Sequence, residues 1–382
     1  MQVSVAGIGQ TPVGEHWDKG VRELAAEALL SALQDAHVDQ VDALYVGNML
    51  SGELVEQEHL GALVADALGL QGVQAFKVEA GGSSGGAAVH AGYLAIASGQ
   101  SDRVAVVGVE KTTDAHPRAV TRALALELDG EYESPNGITF DSLNALLMRR
   151  YMHEFDLIEE DFACFPMNAH RNAQTNPYAM FRRPITRDAY RKAKKVAGPI
   201  SVLDSAPVSD GAAAVILCRT DRLNGNGARA VSVRASTVAT ETVSLHSRLD
   251  PLWLGAVETA CNKAYAMAQV QPGDIDLFEL HDATTLLAPM SLEAAGLTPR
   301  GTGVYAARDG EIGIAGRIPI STLGGLKARG HPVGASGVYQ IAECVQQLRG
   351  EAGANQVPNA RVAMAQSLGG MAATAVTHIL IK

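Results

Sequence analysis

The sequence predicts an α/β fold with mostly parallel strands, built from two similar halves. Short β-rich runs alternate with segments of helical periodicity. A glycine-rich turn, an apolar helix and a small-residue strand occur in that order in both halves of the chain. The 382 residues are 47% apolar but only 5% aromatic, with 39 glycines. That balance suits helices packed closely over a sheet.

Val3 to Ile8 reads as the opening strand. Val21, Leu24, Ala25, Ala28, Leu29 and Ala32 then fall on one face of a helix. Leu44-Tyr45-Val46 is the next strand, and Ser83-Ser84-Gly85-Gly86 opens an apolar helix. Val104 to Val109 is apolar on both faces, as in a buried strand. Ala212 to Cys218 closes the first half, 1–220, and Leu223 to Ala228 has linker composition. The second half, 229–382, offers strands at Val231 to Val233, Ile275 to Leu280, Arg361 to Ala365 and Thr374 to Ile381. Its Ala335-Ser336-Gly337-Val338 opens a helix as Ser83 to Gly86 does in the first. About residues 115–205 interrupt the first half as an insertion.

The net charge of −10 argues against a nucleic-acid partner, because affinity there comes mostly from neutralising phosphates. No apolar run approaches the ~18 residues of a membrane span. Met1 to Ala6 lacks the basic and apolar pattern of a secretory leader, so a cytoplasmic location is expected. Cys164, Cys218, Cys261 and Cys344 are scattered without metal-ligand spacing, as buried small hydrophobes in a reducing compartment would be, and no metal site is expected. Ten of the 31 lysines and arginines lie between Arg149 and Lys195, inside the insertion. A solvated helical face and a lid carrying an anion site both fit that charge.

Four motifs carry the chemistry. Val78 to Ala88, with Gly81-Gly82-Ser83-Ser84, leads into a helix whose exposed N–H groups favour negative charge. Glu279-Leu280-His281-Asp282-Ala283-Thr284 follows an apolar strand, where sites form in α/β sheets, though a structural histidine fits there too. Gly324-Gly325 begins a glycine-rich run that holds His331 between Gly330 and Pro332, which suits a general base or an oxyanion donor. Gln366-Ser367-Leu368-Gly369-Gly370 could turn backbone N–H groups towards an oxyanion.

Together these motifs resemble the thiolase superfamily, and most closely its archaeal-type acetyl-CoA acetyltransferases. The likeness covers nearly the whole chain. It takes in Tyr45-Val-Gly-Asn-Met-Leu-Ser-Gly-Glu-Leu54, Val109-Glu-Lys111, Asn176-Pro-Tyr178 and Ser209-Asp-Gly-Ala-Ala-Ala-Val-Ile-Leu217. It implies two βαβαβαββ halves in a layered αβαβα arrangement with an inserted loop domain. It also implies acyl-CoA as substrate, no tightly bound cofactor, a homodimer or homotetramer, and a possible small OB-fold companion. The loop domain of that family binds coenzyme A, which favours Arg149, Arg150, Arg182, Arg183, Lys192 and Lys195 as phosphate contacts.

The likeness breaks at the nucleophile. Laid over residues 79–86, the family's Glu-Ala-Ala-Cys-Ala-Ser-Gly-Gly puts its cysteine on Gly82. The second family cysteine falls on Ser367, and Thr284 stands where phenylalanine is usual. Ser83 is one residue away, which turns its side chain by about 100° at a helix start, and serine is a weaker nucleophile than a thiolate. His331 and His281 remain, with oxyanion donors expected at Gly369, Gly370, Gly324 and Gly325. A cysteine at position 82 would then find His331 to take its proton. Two functions stay open: carbon–carbon chemistry through a CoA-thioester enolate, or a catalytically silent acyl-CoA-binding subunit. A nicotinamide dehydrogenase is disfavoured, because Gly14 comes too late after Gly7-x-Gly9.

Overall fold

The computed structural model describes residues 1–223 and 229–382. Most of the expected linker, residues 224–228, lies outside the described residues.

The chain opens with β1 (Val3–Gln10), α1 (Val21–Ala36), β2 (Ala43–Gly47), α2 (Ser51–Leu54), α3 (Leu60–Ala67), β3 (Gln74–Val78), α4 (Ser84–Ala97) and β4 (Arg103–Glu110). The insertion adds α5 (Pro117–Leu124), α6 (Phe140–Glu154), α7 (Cys164–Ala173), α8 (Arg187–Arg191) and a small pair, β5 (Lys195–Ala197) with β6 (Ile200–Ser201). The first half closes with β7 (Gly211–Arg219). The second runs through β8 (Val231–Thr240), α9 (Gly255–Ala268), β9 (Leu277–Glu279), α10 (Leu287–Ala294), α11 (Gly303–Arg308), α12 (Ser336–Arg349), β10 (Val362–Gly369) and β11 (Thr374–Ile381).

Nine strands form one sheet in the order β3-β2-β4-β7-β1-β8-β11-β10-β9. The halves meet where Val3 to Val5 of β1 pairs with Val231 to Val233 of β8. The first half is βαβαβαββ. The second repeats it, except that its counterpart of β3 is reduced to one parallel bridge between Ile320 and Phe278. Helix α1 buries the face expected from its spacing, Val21, Leu24, Ala25, Ala28, Leu29 and Ala32, on the outside of the first half. Helix α9 covers the second half, and α4 and α12 lie between the two, giving five layers. The central helices touch backbone to backbone. A Cβ on Gly85 would come within 2.7 Å of the Gly334 carbonyl, and one on Gly337 would strike the Gly86 nitrogen. Only glycine permits that approach.

The sheet is not mostly parallel. Parallel pairing holds for β2 with β3, β2 with β4, and β9 with β10. The remaining neighbours are antiparallel. Helical crossovers enforce parallel pairing only where they occur. After the insertion β7 returns antiparallel to β4, and a tight turn at Gly369–Thr374 folds β11 back on β10. The edge strand β3 was not expected from the sequence. It is only half-buried, so it lacks the apolar run that marks β4. No helix among the described residues is long and apolar enough to cross a membrane.

Candidate active site

The carboxyl ends of β3, β9 and β10 converge, and the loops that leave them meet the glycine-rich loop before α12. Between these loops and the insertion lies a pocket of ≈ 130 Å³, lined among others by Glu127, Thr139, Asp141, Ser205, His281 and His331.

The two histidines sit edge to face with ring centroids 5.2 Å apart. His331 is fixed on three sides. Its N–H donates to Ser209 Oγ at 2.9 Å, its backbone bridges Val208, and Nδ1 lies 2.7 Å from Ser336 Oγ. Ser336 Oγ also lies 3.1 Å from the Pro332 carbonyl. When its proton goes to that carbonyl, His331 donates from Nδ1 and keeps a lone pair on Nε2 that can accept a hydrogen bond. Burial pushes the His281 imidazole down to about 3, helped by the Arg329 charge. Burial also holds His331 well below its ordinary value, with His281 and Arg329 adding to the effect. Both rings are therefore neutral at neutral pH, and each has one N–H and one lone pair.

Beneath them is a buried charge cluster. The short turn Gly325–Arg329 draws Lys327 and Arg329 inward. Arg329 pairs with Glu343 at 2.7 Å and lies over the Tyr339 ring at 4.6 Å. Lys327 Nζ donates to the Val202 carbonyl at 2.8 Å and to that of Ser205. Asp282 accepts from Leu326 N–H at 2.7 Å and from Ser321 Oγ at 3.1 Å. Burial pushes Glu279 up to about 8 and Glu343 up to about 7. Gly324 and Gly325 shape this floor, both at positive φ. The Gly324 N–H goes to the Ser321 carbonyl at 3.0 Å, and a Cβ on Gly325 would collide with Asp282.

Gly82 faces His281 rather than His331. A Cβ built there would lie 3.3 Å from His281 Cε1, 3.4 Å from His281 Nε2 and 2.6 Å from the Leu368 carbonyl. The positive φ in this turn belongs to Gly81, at 59°. Ser83 is buried, and its hydroxyl donates to the Ala80 carbonyl at 2.5 Å. Ser367 is buried against Gly86, away from the pocket lining. No cysteine lines the pocket among the described residues. Burial pushes the Cys218 thiol up to about 11 and Cys261 up to about 12.

Gly369 packs against the Ala80 to Ser83 turn, so the two glycine loops abut. Gly82 N–H and Gly370 N–H both donate to one oxygen, Glu127 Oε2, at 2.9 and 2.8 Å. The motifs did not single out Glu127. The available signal was an acid set among apolar neighbours, Leu124-Ala125-Leu126-Glu127-Leu128. Asp141 stands outside the motifs as well. It accepts from Ser205 Oγ at 2.6 Å on the pocket wall.

The six basic candidates stand exposed on the insertion, outside the pocket lining. Arg150 pairs with Glu154, Lys192 with Asp188 and Lys195 with Glu159. Arg149, Arg182 and Arg183 make no ion pair among the described residues.

Residues 3–221 match the family model described as thiolase, N-terminal domain, and residues 237–382 match thiolase C-terminal domain-like. The chain belongs to the thiolase family. This thiolase-family chain is 43% identical over 382 residues to an acetyl-CoA acetyltransferase of Methanothermobacter thermautotrophicus, covering 100% of this chain and 99% of that one. It is 31% identical over 375 residues to the benzoylsuccinyl-CoA thiolase subunit BbsB of Thauera aromatica, covering 97% and 95%. Among solved structures it is similar to the Ltp2-ChsH2(DUF35) aldolase, with a TM-score of 0.86, 25% identity and coverage of 100% and 97%.

Proposed function

We propose that this protein makes or breaks a carbon–carbon bond next to a CoA thioester, through the thioester enolate and without an acyl-enzyme. One observation carries the reading: two neutral imidazoles share a pocket, and Gly82, which faces His281, has no side chain. With the His331 ring N–H held by Ser336, the His281 N–H donates to the thioester oxygen and stabilises the enolate as it forms. The thiolase route of acyl transfer passes through an acyl-enzyme, for which glycine supplies no nucleophile. Aldol addition and its reverse need none. The likeness to an aldolase of the same fold supports this choice over the acetyltransferase reaction named for other relatives.

The substrate is an acyl-CoA, with Arg149, Arg182 and Arg183 as phosphate contacts, and the protein works in the cytoplasm as at least a dimer. The open edge strand β3, with Phe76 55% exposed, supports the dimer, because an unpaired edge invites pairing with another chain. Light scattering that finds a stable monomer would contradict it. A small OB-fold companion is compatible with the structural relative, in which the aldolase is paired with the DUF35 protein ChsH2.

The rival reading is a catalytically silent acyl-CoA-binding subunit, favoured by Glu127 filling the N–H pair of Gly82 and Gly370. Incubation with a series of β-hydroxyacyl-CoAs separates the two. The enzyme releases a shorter acyl-CoA and a free aldehyde or ketone, detected by chromatography. No cleavage of any member, with or without a DUF35-type partner, leaves the silent subunit.

A further inference from the structure

Glu127 is an unusual group to find in this pocket. It ends a short turn of the insertion, Ala125–Glu127, and reaches across to both halves of the fold. Oε2 is held by two backbone N–H groups, while no hydrogen bond to Oε1 occurs among the described residues. The side chain is recessed but not closed off, and it lines the same pocket as His281 and His331. The charge of another acid, Glu79, acts on it in the same direction as burial. Burial raises its carboxyl above the ordinary range, against the pull of the Gly370 and Gly82 N–H groups. A structural carboxylate is normally given a cation, and this one is left able to exchange a proton.

We propose that Glu127 is the catalytic base of the enolate chemistry, with Oε2 anchored by Gly82 and Gly370 and Oε1 facing the substrate. The proposal rests on the enolate function proposed above. In the cleavage direction, the Glu127 carboxylate takes the proton of the β-hydroxyl. The C–O bond becomes a carbonyl, the Cα–Cβ bond breaks, and its electron pair passes to Cα and the thioester oxygen beside the histidines. The carbonyl fragment leaves. Glu127, now protonated, returns the proton to Cα. Atoms and electrons balance with no further reactant. The same base removes an α-proton from a short acyl-CoA when the reaction runs the other way.

That last step gives a test that needs no knowledge of the natural acyl chain. Acetyl-CoA is incubated with the protein in D₂O, and loss of the methyl proton signal is followed by NMR. The wild type exchanges the methyl protons. Glu127→Gln keeps the N–H contacts but cannot accept the proton, so exchange falls roughly 10²-fold or more while acetyl-CoA affinity stays within a few-fold. Glu127→Asp recovers part of the loss. If Glu127→Gln does not fold, Glu127→Asp decides: its withdrawn carboxylate slows exchange at retained affinity. Exchange at the wild-type rate in a folded variant overturns the assignment and leaves the enolate reading standing. Faster exchange in Glu127→Gln also overturns it, and marks the carboxylate as a plug in the N–H pair. A wild type that binds acetyl-CoA without exchange overturns the enolate reading and the base together.

Discussion

Replacing Gly82 with cysteine tests the proposal that the missing nucleophile belongs there, at a position the structure has partly closed. The new Cβ would come 2.6 Å from the Leu368 carbonyl, so backbone has to shift. Overpacking of this kind costs roughly 1–3 kcal/mol. With an unfolding entropy of about 2.1 cal/mol/K per residue and 382 residues, that lowers Tm by only ~1–4 °C. The fold therefore survives. The new Cβ would lie 3.4 Å from His281 Nε2, but burial holds that imidazole down to about 3, so it is a weak base and takes the thiol proton slowly. The foot of a helix favours the thiolate, although a neutral imidazole adds no charge to help it. The obstacle is Glu127, which already takes the Gly82 and Gly370 N–H groups that a thioester oxyanion would use. Such donors are worth roughly 10²–10³ in rate. Gly82→Cys is thus expected to gain one acetyl mass slowly with acetyl-CoA, and faster when combined with Glu127→Ala. Gly82→Ala shares the steric cost and gains no mass. Intact-protein mass spectrometry and a thermal melt read all three. An acetylated wild type would refute the missing-nucleophile argument. A Gly82→Ala variant with unchanged Tm would refute the packing argument, and acetylation slowed by loss of Glu127 would refute its place in the N–H pair.

Other predictions concern charge. Changing both Arg182 and Arg183 to alanine weakens CoA binding roughly tenfold, because exposed charge contacts are each worth about 1 kcal/mol or less; calorimetry showing equal affinity would remove them as phosphate contacts. Arg329→Met leaves Glu343 buried without its cation at 2.7 Å, and costs about 3–5 kcal/mol in a denaturant titration; a change under 1 kcal/mol would contradict the pairing. Burial pushes the folded Glu279 carboxyl up to about 8, against 4.5 ordinarily, so between about pH 4.5 and 8 the folded chain holds a proton that the unfolded chain has released. Stability then falls as pH rises from 7 to 8, by at most about 1.4 kcal/mol from this group, and Glu279→Gln flattens the fall. Identical slopes in the two proteins would contradict the assignment.

The layered fold was legible because repeats and apolar periodicity are local signals. The face of α1 and the buried strand β4 followed directly from spacing. Strand direction was not legible, since β7 and β11 return antiparallel for reasons set by the insertion and a turn. The histidine pair was found because each ring stands in a distinctive motif. Its relation to position 82 was not: the sequence offers two histidines, and only the packing of Leu368 and the loop after β9 makes His281 the neighbour. Glu127 was invisible for a related reason. Its partners lie 45 and 243 residues away, and both are backbone N–H groups, which carry no residue-type signature.

Enolate chemistry and the lack of a covalent intermediate are tested together in one sample. Wild-type protein is held with acetyl-CoA in D₂O, and aliquots go to NMR and to intact-protein mass spectrometry. Deuterium is expected in the acetyl methyl group, with a protein mass that does not change. An acetylated protein, or a bound acetyl-CoA that keeps all its methyl protons, would contradict that expectation.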